Sequence, residues 1–329
     1  MTRRPFRLPP ELEMNMKFSL ITTTLGRTTE LNRLLASIDA QTCRDFEMII
    51  VDQNSGDMLE PILAPYRDSF PLLHVHSARG ASHGRNIGMA HASGDFITFP
   101  DDDCWYPPRL LEDVATLFAT HPEWDGLSGR PANSPRWSDR PGPIGRWNVW
   151  KRAIEWTMFL HRPLVEHVGD LNEHLGPGAG TPFGAGEGTE YLIRALAMNF
   201  TLSYQPSIQI FHPDPTMDFE EHVRKSRYYA MGQGRVLQLG NYPAWFATYQ
   251  WMRPLAGAAL GLVRRKPRQS MVALAVVEGI IGGWTAGPDK VRSQPASAKL
   301  PLPSPAAAAT NRPVIASPWG KVFASRRAA

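Results

Sequence analysis

The sequence predicts an α/β fold with a mainly parallel central sheet, and three observations carry that expectation. β-type apolar runs alternate with helical patterns between Lys17 and Phe99, polar turns follow the runs, and 329 residues suffice to bury a full core with an appendage to spare.

The elements follow in order. "KFSLITTT" (17–24) is the first strand, and "TTELNRLLASIDAQT" places Leu31, Leu34, Leu35 and Ile38 on one helical face. "FEMIIVD" (46–52) is the next strand and runs into the polar turn "QNSGD". A short helix near 58–66 leads to strand "LLHVH", loop "SARGASHG", helix "RNIGMAHAS" and strand "DFITF", and a helix over 107–120 closes this half. The stretch 129–150 is irregular but carries prolines and three tryptophans, a composition that favours a functional loop. A glycine-rich loop then feeds a helix, followed by the β-type run "FTLSYQPSIQIFHPDP" and an amphipathic helix over 218–239 that ends near Gly240.

Two apolar stretches, 245–263 and 271–284, flank the basic turn "RRKPRQS". Arg253 and Pro254 interrupt the first and Glu278 the second, whereas a spanning helix wants about 20 clean apolar residues. A membrane-surface or shallow hairpin is expected, with a soluble helical subdomain or a spanning pair as alternatives. In an antiparallel hairpin Arg253 and Glu278 reach similar depth, and pairing would lessen their burial cost. The expected organisation is a flexible basic segment at 1–14, the α/β domain at 15–215, a helical apolar extension at 216–285, and a Pro-, Ala- and Ser-rich disordered tail at 286–329.

Lys and Arg total 35 against 31 Asp and Glu, a net charge of +4 with the basic residues gathered near both ends and at 264–268. That placement suggests an anionic surface and not a nucleic-acid groove, for which no motif is present. The two cysteines, Cys43 and Cys104, exclude a disulfide framework. No apolar segment precedes Phe18, so no signal peptide is expected. The predicted location is cytoplasmic, peripheral on the inner face of the plasma membrane.

The chemistry concentrates in "ITFPDDDCWYPP" (97–108). Three consecutive carboxylates repel one another, so Asp101, Asp102 and Asp103 call for a positive partner. They also follow a strand, where parallel sheets collect ligands, and carboxylates there suit Mg²⁺ or Mn²⁺ with substrate phosphates. The alternative is a solvated acidic turn before the helix at Pro107. Asp52 ends its strand, where it meets a ring N–H of a bound base or forms an Asx-type turn with the residues after it. Arg85 and Asn86 open a helix suited to phosphate, although a salt bridge accounts for Arg85 equally well. Cys104 reads as an apolar filler, and His161, His167 and His174 as ordinary structural histidines.

Taken together, "FSLITTTLGR", "FEMIIVDQNSGD", "GRNIGMAHASGDFITFPDDDCWYPPRLL" and "VGDLNEHLGPGAGTPFGAGEGTEYLIRAL" resemble, in this order, a family 2 glycosyltransferase of the GT-A fold, from Lys17 to about His212. The resemblance implies an inverting, metal-dependent transferase of the hexosyl or N-acetylhexosaminyl type in cell-surface glycan synthesis, the alternative being a non-catalytic sugar-nucleotide or glycan-binding protein derived from such a transferase. Its donor would be a nucleotide-diphosphate sugar and its acceptor a glycan or lipid-linked molecule. Thr23, Arg27, Asp52 and Asn54 would serve the nucleotide, with Arg85 and Asn86 near base or phosphates and Asp101 and Asp102 on the donor. Asp103 is a metal ligand in either register of the aspartate motif: counted from Phe99 its outer acids are Asp101 and Asp103, counted back from Pro107 they are Asp102 and Asp103. His212 takes the place of a histidine that joins the metal shell in such enzymes. The base that takes the acceptor proton would be Glu187 or Glu190, with Glu187 favoured at the loop-to-helix junction. Two features depart from the family: Gly188 stands where a second acid is common, and Leu25 where an aromatic stacks on the base.

Overall fold

The structure, a computed structural model, describes residues 16–132, 134, 137–213 and 217–287. The segment expected to be flexible at 1–14, and all of the tail expected to be disordered at 286–329 except residues 286 and 287, lie outside these residues.

Eight strands among the described residues form one sheet in the order β3-β2-β1-β4-β7-β5-β8-β6. They are β1 (Phe18–Thr24), β2 (Phe46–Asp52), β3 (Leu72–His76), β4 (Phe96–Thr98), β5 (Gly126–Pro131), β6 (Gly142–Ile144), β7 (Met158–His161) and β8 (Leu202–Ile210). The β1–β2, β1–β4, β2–β3 and β5–β8 pairs are parallel, while β7 runs antiparallel to both β4 and β5, and β6 to β8. The mainly parallel sheet expected from sequence is therefore present. β1 and β2 are buried along nearly their whole length, which explains their unbroken apolar character.

Helix α1 (Thr29–Asp39) covers one face with Leu31, Leu34, Leu35 and Ile38, the four residues expected from its spacing. A short α2 (Glu60–Leu63) leads to β3. On the opposite face, α3 (Ala81–His91) lies directly against β1. Its close approach requires glycine, because a methyl group on Gly84 would sit 2.6 Å from Thr23 Cγ2 and one on Gly88 would overlap Ile21. This helix starts four residues before the expected position, since Gly80 turns the chain at φ +137°, a conformation that favours glycine. Arg85 and Asn86 thus sit one turn inside the helix and do not open it. The leading amide, Ala81 N–H, is taken by Pro177 O at 2.9 Å.

α4 (Leu110–Thr120), α5 (Arg162–Val168) and α6 (Glu187–Ala197) complete this part of the fold. Trp137 stacks on Tyr204, while Trp147 and Trp150 pack on Tyr242 and Phe246, so these rings fasten the 129–150 stretch to β8 and the C-terminal helices.

Three helices follow: α7 (Phe219–Leu239), α8 (Ala244–Val263) and α9 (Pro267–Thr285). α9 crosses α7 backbone against backbone, with Gly279 and Gly283 meeting Arg227 and Met231, and Gly234 meeting Ile280. Ser270 Oγ donates to Ala258 O at 2.8 Å and ties α9 to α8. No helix among the described residues is long and apolar enough to cross a membrane. The expected Arg253–Glu278 pair does not form. Because α9 packs on α7, Glu278 meets Arg227 at 2.9 Å, and Arg253 lies over the Tyr249 ring.

Candidate functional site

A cleft of about 810 Å³ opens beyond the carboxyl ends of β1, β2 and β4. β1 and its turn supply Thr23, Leu25 and Arg27, the acidic loop supplies Asp101, Asp102 and Asp103, and α7 supplies His222, Lys225 and Tyr229. One wall is therefore built from the helix that sequence reasoning assigned to the C-terminal extension.

The positive partners demanded by the aspartate run are two arginines and a histidine. Arg27 Nη1 donates to Asp102 Oδ1 and to Asp103 Oδ2, each at 2.6 Å. Arg85 Nη2 donates to Asp101 Oδ1 at 3.0 Å, and His212 Nε2 stands 3.0 Å from Asp103 Oδ1. Side chains of the protein thus balance these acids, so their crowding alone does not call for a metal ion.

The loop is pinned to β8 by a reciprocal backbone pair. Trp105 N–H donates to Phe211 O at 3.0 Å, Phe211 N–H to Trp105 O at 3.1 Å, and the two rings stack at 5.3 Å. Arg33 lies over Trp105 and donates to the Asp103 carbonyl at 2.6 Å. This clamp brings His212, which also stacks on Trp156, against Asp103.

Asp101, Asp103 and His212 each offer one ligand atom, all within 4.8 Å of one another. Two carboxylates and an imidazole make a donor set that Mn²⁺ accepts readily and Mg²⁺ tolerates, so the residues fit the implied ion. Asp102 points instead to Arg27. Burial pushes the Asp102 carboxyl up. Burial also pushes Asp103 up, but its His212 and Arg27 contacts prevail and hold it low. Burial lowers the His212 proton affinity, and the Asp103 carboxylate more than restores it.

Glu187 is the first residue of α6, buried, with Oε1 accepting from Arg85 Nη1 at 2.9 Å. Burial first, then the charge of Glu155, pushes its proton affinity up to about 7 against the opposing pull of Arg85. Glu190 does not line the cleft; it accepts from Arg194 Nε at 2.9 and 3.1 Å. Among the described residues Asp52, Asn54 and Asn86 are also absent from the lining. Asp52 Oδ1 accepts from the Asn54 backbone and side chain, each at 2.8 Å, which is the Asx-type turn, and Oδ2 lies 3.0 Å from His74 Nε2. Asn54 in turn accepts from Gly26 N–H at 2.6 Å. Asn86 braces the loop after α5 through Leu171 and Glu173.

Sequence reasoning missed Glu155, which lines the cleft and caps α6 by accepting from Gly188 N–H at 2.9 Å. The signal was a carboxylate set between Ile154 and Trp156 just before an apolar strand. Arg79 and Lys225, which bring positive charge to the cleft, were also missed. Cys104 is fully buried and its thiol is pushed well up by that burial, which leaves it inert.

A mainly parallel sheet extended through an antiparallel β7, with an acidic loop and a histidine meeting at the strand ends, has an architecture of the GT-A type. Residues 19–161 match the model of glycosyl transferase family 2. An uncharacterized glycosyltransferase of Bacillus subtilis is 35% identical over 107 residues, covering 32% of this chain and 39% of that protein. A PGL/p-HBAD biosynthesis glycosyltransferase of Mycobacterium bovis is 33% identical over 166 residues, covering 47% of this chain and 63% of that protein. The chain thus spans less than two thirds of the length of these curated relatives. Among solved structures, a mannosyltransferase from Pyrobaculum calidifontis in complex with GDP-Man and Mn²⁺ superposes with a TM-score of 0.56 at 15% identity, covering 81% of this chain and 86% of that one. Staphylococcus aureus TarS 1–349 in complex with UDP-GlcNAc gives a TM-score of 0.52 at 16% identity, covering 80% and 90%. At these identities the likeness is one of fold.

Proposed function

We propose that this protein is an inverting, metal-dependent glycosyltransferase that moves a sugar from a nucleotide-diphosphate donor to a glycan or lipid-linked acceptor. The observation that carries the reading is the meeting of Asp101, Asp103 and His212 with the Arg85–Glu187 pair in one cleft. The nucleotide enters at the ends of β1 and β2, where Thr23, Leu25 and Gln53 line the cleft, with Asp52 and Asn54 shaping the turn behind them. Arg27 and Arg85 orient the acids toward the diphosphate, and Arg79 and Lys225 supply further positive charge. Asp101, Asp103 and His212 would hold Mn²⁺ or Mg²⁺, which when bound neutralises charge on the departing diphosphate. Glu187 takes the proton of the acceptor hydroxyl, a task for which a carboxylate of proton affinity near neutrality is suited. Glu190, turned to Arg194, supports α6.

The α8–α9 turn supports membrane-surface attachment. Val263 and Leu262 are 81% and 62% exposed beside exposed Arg264, Arg265, Lys266 and Arg268, a pairing that suits an anionic lipid surface. The proposed location remains the inner face of the plasma membrane.

The test of the catalytic reading is thermal stabilisation by a panel of UDP- and GDP-linked sugars with Mn²⁺, followed by release of nucleoside diphosphate from the best binder. Glu187→Gln should keep the stabilisation and lose about 10²-fold or more in turnover. Turnover that survives in Glu187→Gln removes the base assignment, and no stabilisation by any donor removes the transferase reading.

A further inference from the structure

Position 188 is glycine for a reason visible in the site. A methyl group there would sit 2.8 Å from Glu155 Cδ and 2.9 Å from Glu155 Oε1, and nearer still to its Cγ. The volume that a side chain at 188 would enter is already filled by Glu155, which arrives from the 3₁₀ turn Glu155–Thr157 ahead of β7. Its Oε1 is anchored by the Gly188 N–H, and its carboxylate lines the same cleft as Glu187.

Glu155 caps the first turn of α6 from a separate segment, and the same carboxylate also faces the cleft. Glu155 lines the same cleft as buried Glu187, and after burial it is the charge that raises the proton affinity of Glu187. Carboxylates gathered in one cleft with a strongly raised proton affinity are candidates for functional chemistry.

We propose that Glu155 is the partner of Glu187 in proton transfer: it supplies, from another part of the chain, the second carboxylate that position 188 lacks, and its charge drives the acceptor proton onto Glu187. The proposal rests on the transferase reading. As the acceptor O–H bond breaks, its oxygen bonds to the anomeric carbon. The bond from that carbon to the diphosphate oxygen breaks, its electron pair leaves with the diphosphate, and the proton ends on Glu187. Glu155 acts through Glu187 and is a positioning residue.

Two sets of variants of the full chain test this, with Mn²⁺ and the best-binding UDP- or GDP-sugar of the panel. Glu155→Gln retains the oxygen that accepts from Gly188, so melting temperature and donor KM should hold while kcat falls about tenfold or more. Gly188→Asp should lower the melting temperature in the natural background and not in Glu155→Ala, a readout that needs no donor. The double variant Glu155→Ala with Gly188→Asp, which returns a carboxylate from α6 itself, should recover most of the rate that Glu155→Ala loses. Full kcat in Glu155→Gln, or a double variant as slow as Glu155→Ala, overturns the role of Glu155 and leaves the transferase reading in place. A natural protein that neither binds nor turns over any donor overturns both.

Discussion

Arg85 Nη1 donates to Glu187 Oε1 at 2.9 Å across 102 positions of sequence, and the two side chains are only 6% and 5% exposed. The same guanidinium reaches Asp101 at 3.0 Å, so one residue on α3 joins the acidic loop to the first turn of α6. The two halves of the site share this single fork.

Removing Arg85 should therefore be severe. Arg85→Ala leaves two acids without their partner and should cost about 3–5 kcal/mol in urea unfolding, the range for breaking a buried ion pair. Arg85→Lys retains charge but cannot serve both acids with a planar fork, so it should recover part of the stability and little of the activity. A loss under about 1 kcal/mol for Arg85→Ala would mean that the fork does not organise the site.

The raised proton affinity of Glu187, about 7 against an ordinary 4.5, sets two pH profiles. As a base it must be ionised, so kcat/KM should climb with pH and level off above about 7. Stability should run the other way. Between 4.5 and about 7 the native state keeps a proton that the unfolded chain has released, so this group's contribution falls as pH rises through that window. Glu187→Gln, which cannot ionise, should lose the kinetic rise and gain stability relative to the natural protein toward pH 8. Parallel stability curves for the two proteins would contradict the assignment.

Binding to vesicles containing anionic lipid should depend on the α8–α9 turn. Each Lys or Arg near such a surface contributes about 1 kcal/mol, so changing Arg264, Arg265, Lys266 and Arg268 to Ser should weaken sedimentation with vesicles by about 10²-fold or more. Val263→Asp should act in the same direction by opposing insertion of the exposed apolar tip. Equal sedimentation of all forms removes the membrane proposal.

Much of the framework was legible because local pattern and tertiary structure agree. β2 follows its apolar run residue for residue, β1 starts one residue inside its run, and α1 buries the four residues its period selects. The site was less legible wherever its parts come from distant positions. The placing of His212 against Asp103 depends on the Trp105–Phe211 clamp, a pairing of residues 106 positions apart that no local spacing encodes. Glu155 escaped notice because its meaning depends on the absent side chain of Gly188. The packing of Trp147 and Trp150 was not legible because their partners, Tyr242 and Phe246, lie about 100 positions further along the chain. The start of α3 was misplaced because "ASHG" is weakly helical by itself and is held there by the turn at Gly80 and the Pro177 carbonyl.

The central claim is that Asp101, Asp103 and His212 receive a divalent cation that serves a nucleoside diphosphate. Titration calorimetry of Mn²⁺ into the protein with UDP or GDP present addresses it directly. Uptake of one equivalent, lost in Asp103→Asn and His212→Ala and nearly unchanged in Asp102→Asn, is the predicted result. No uptake by the natural protein with either nucleotide, or uptake abolished by Asp102→Asn and untouched by the other two changes, would contradict it.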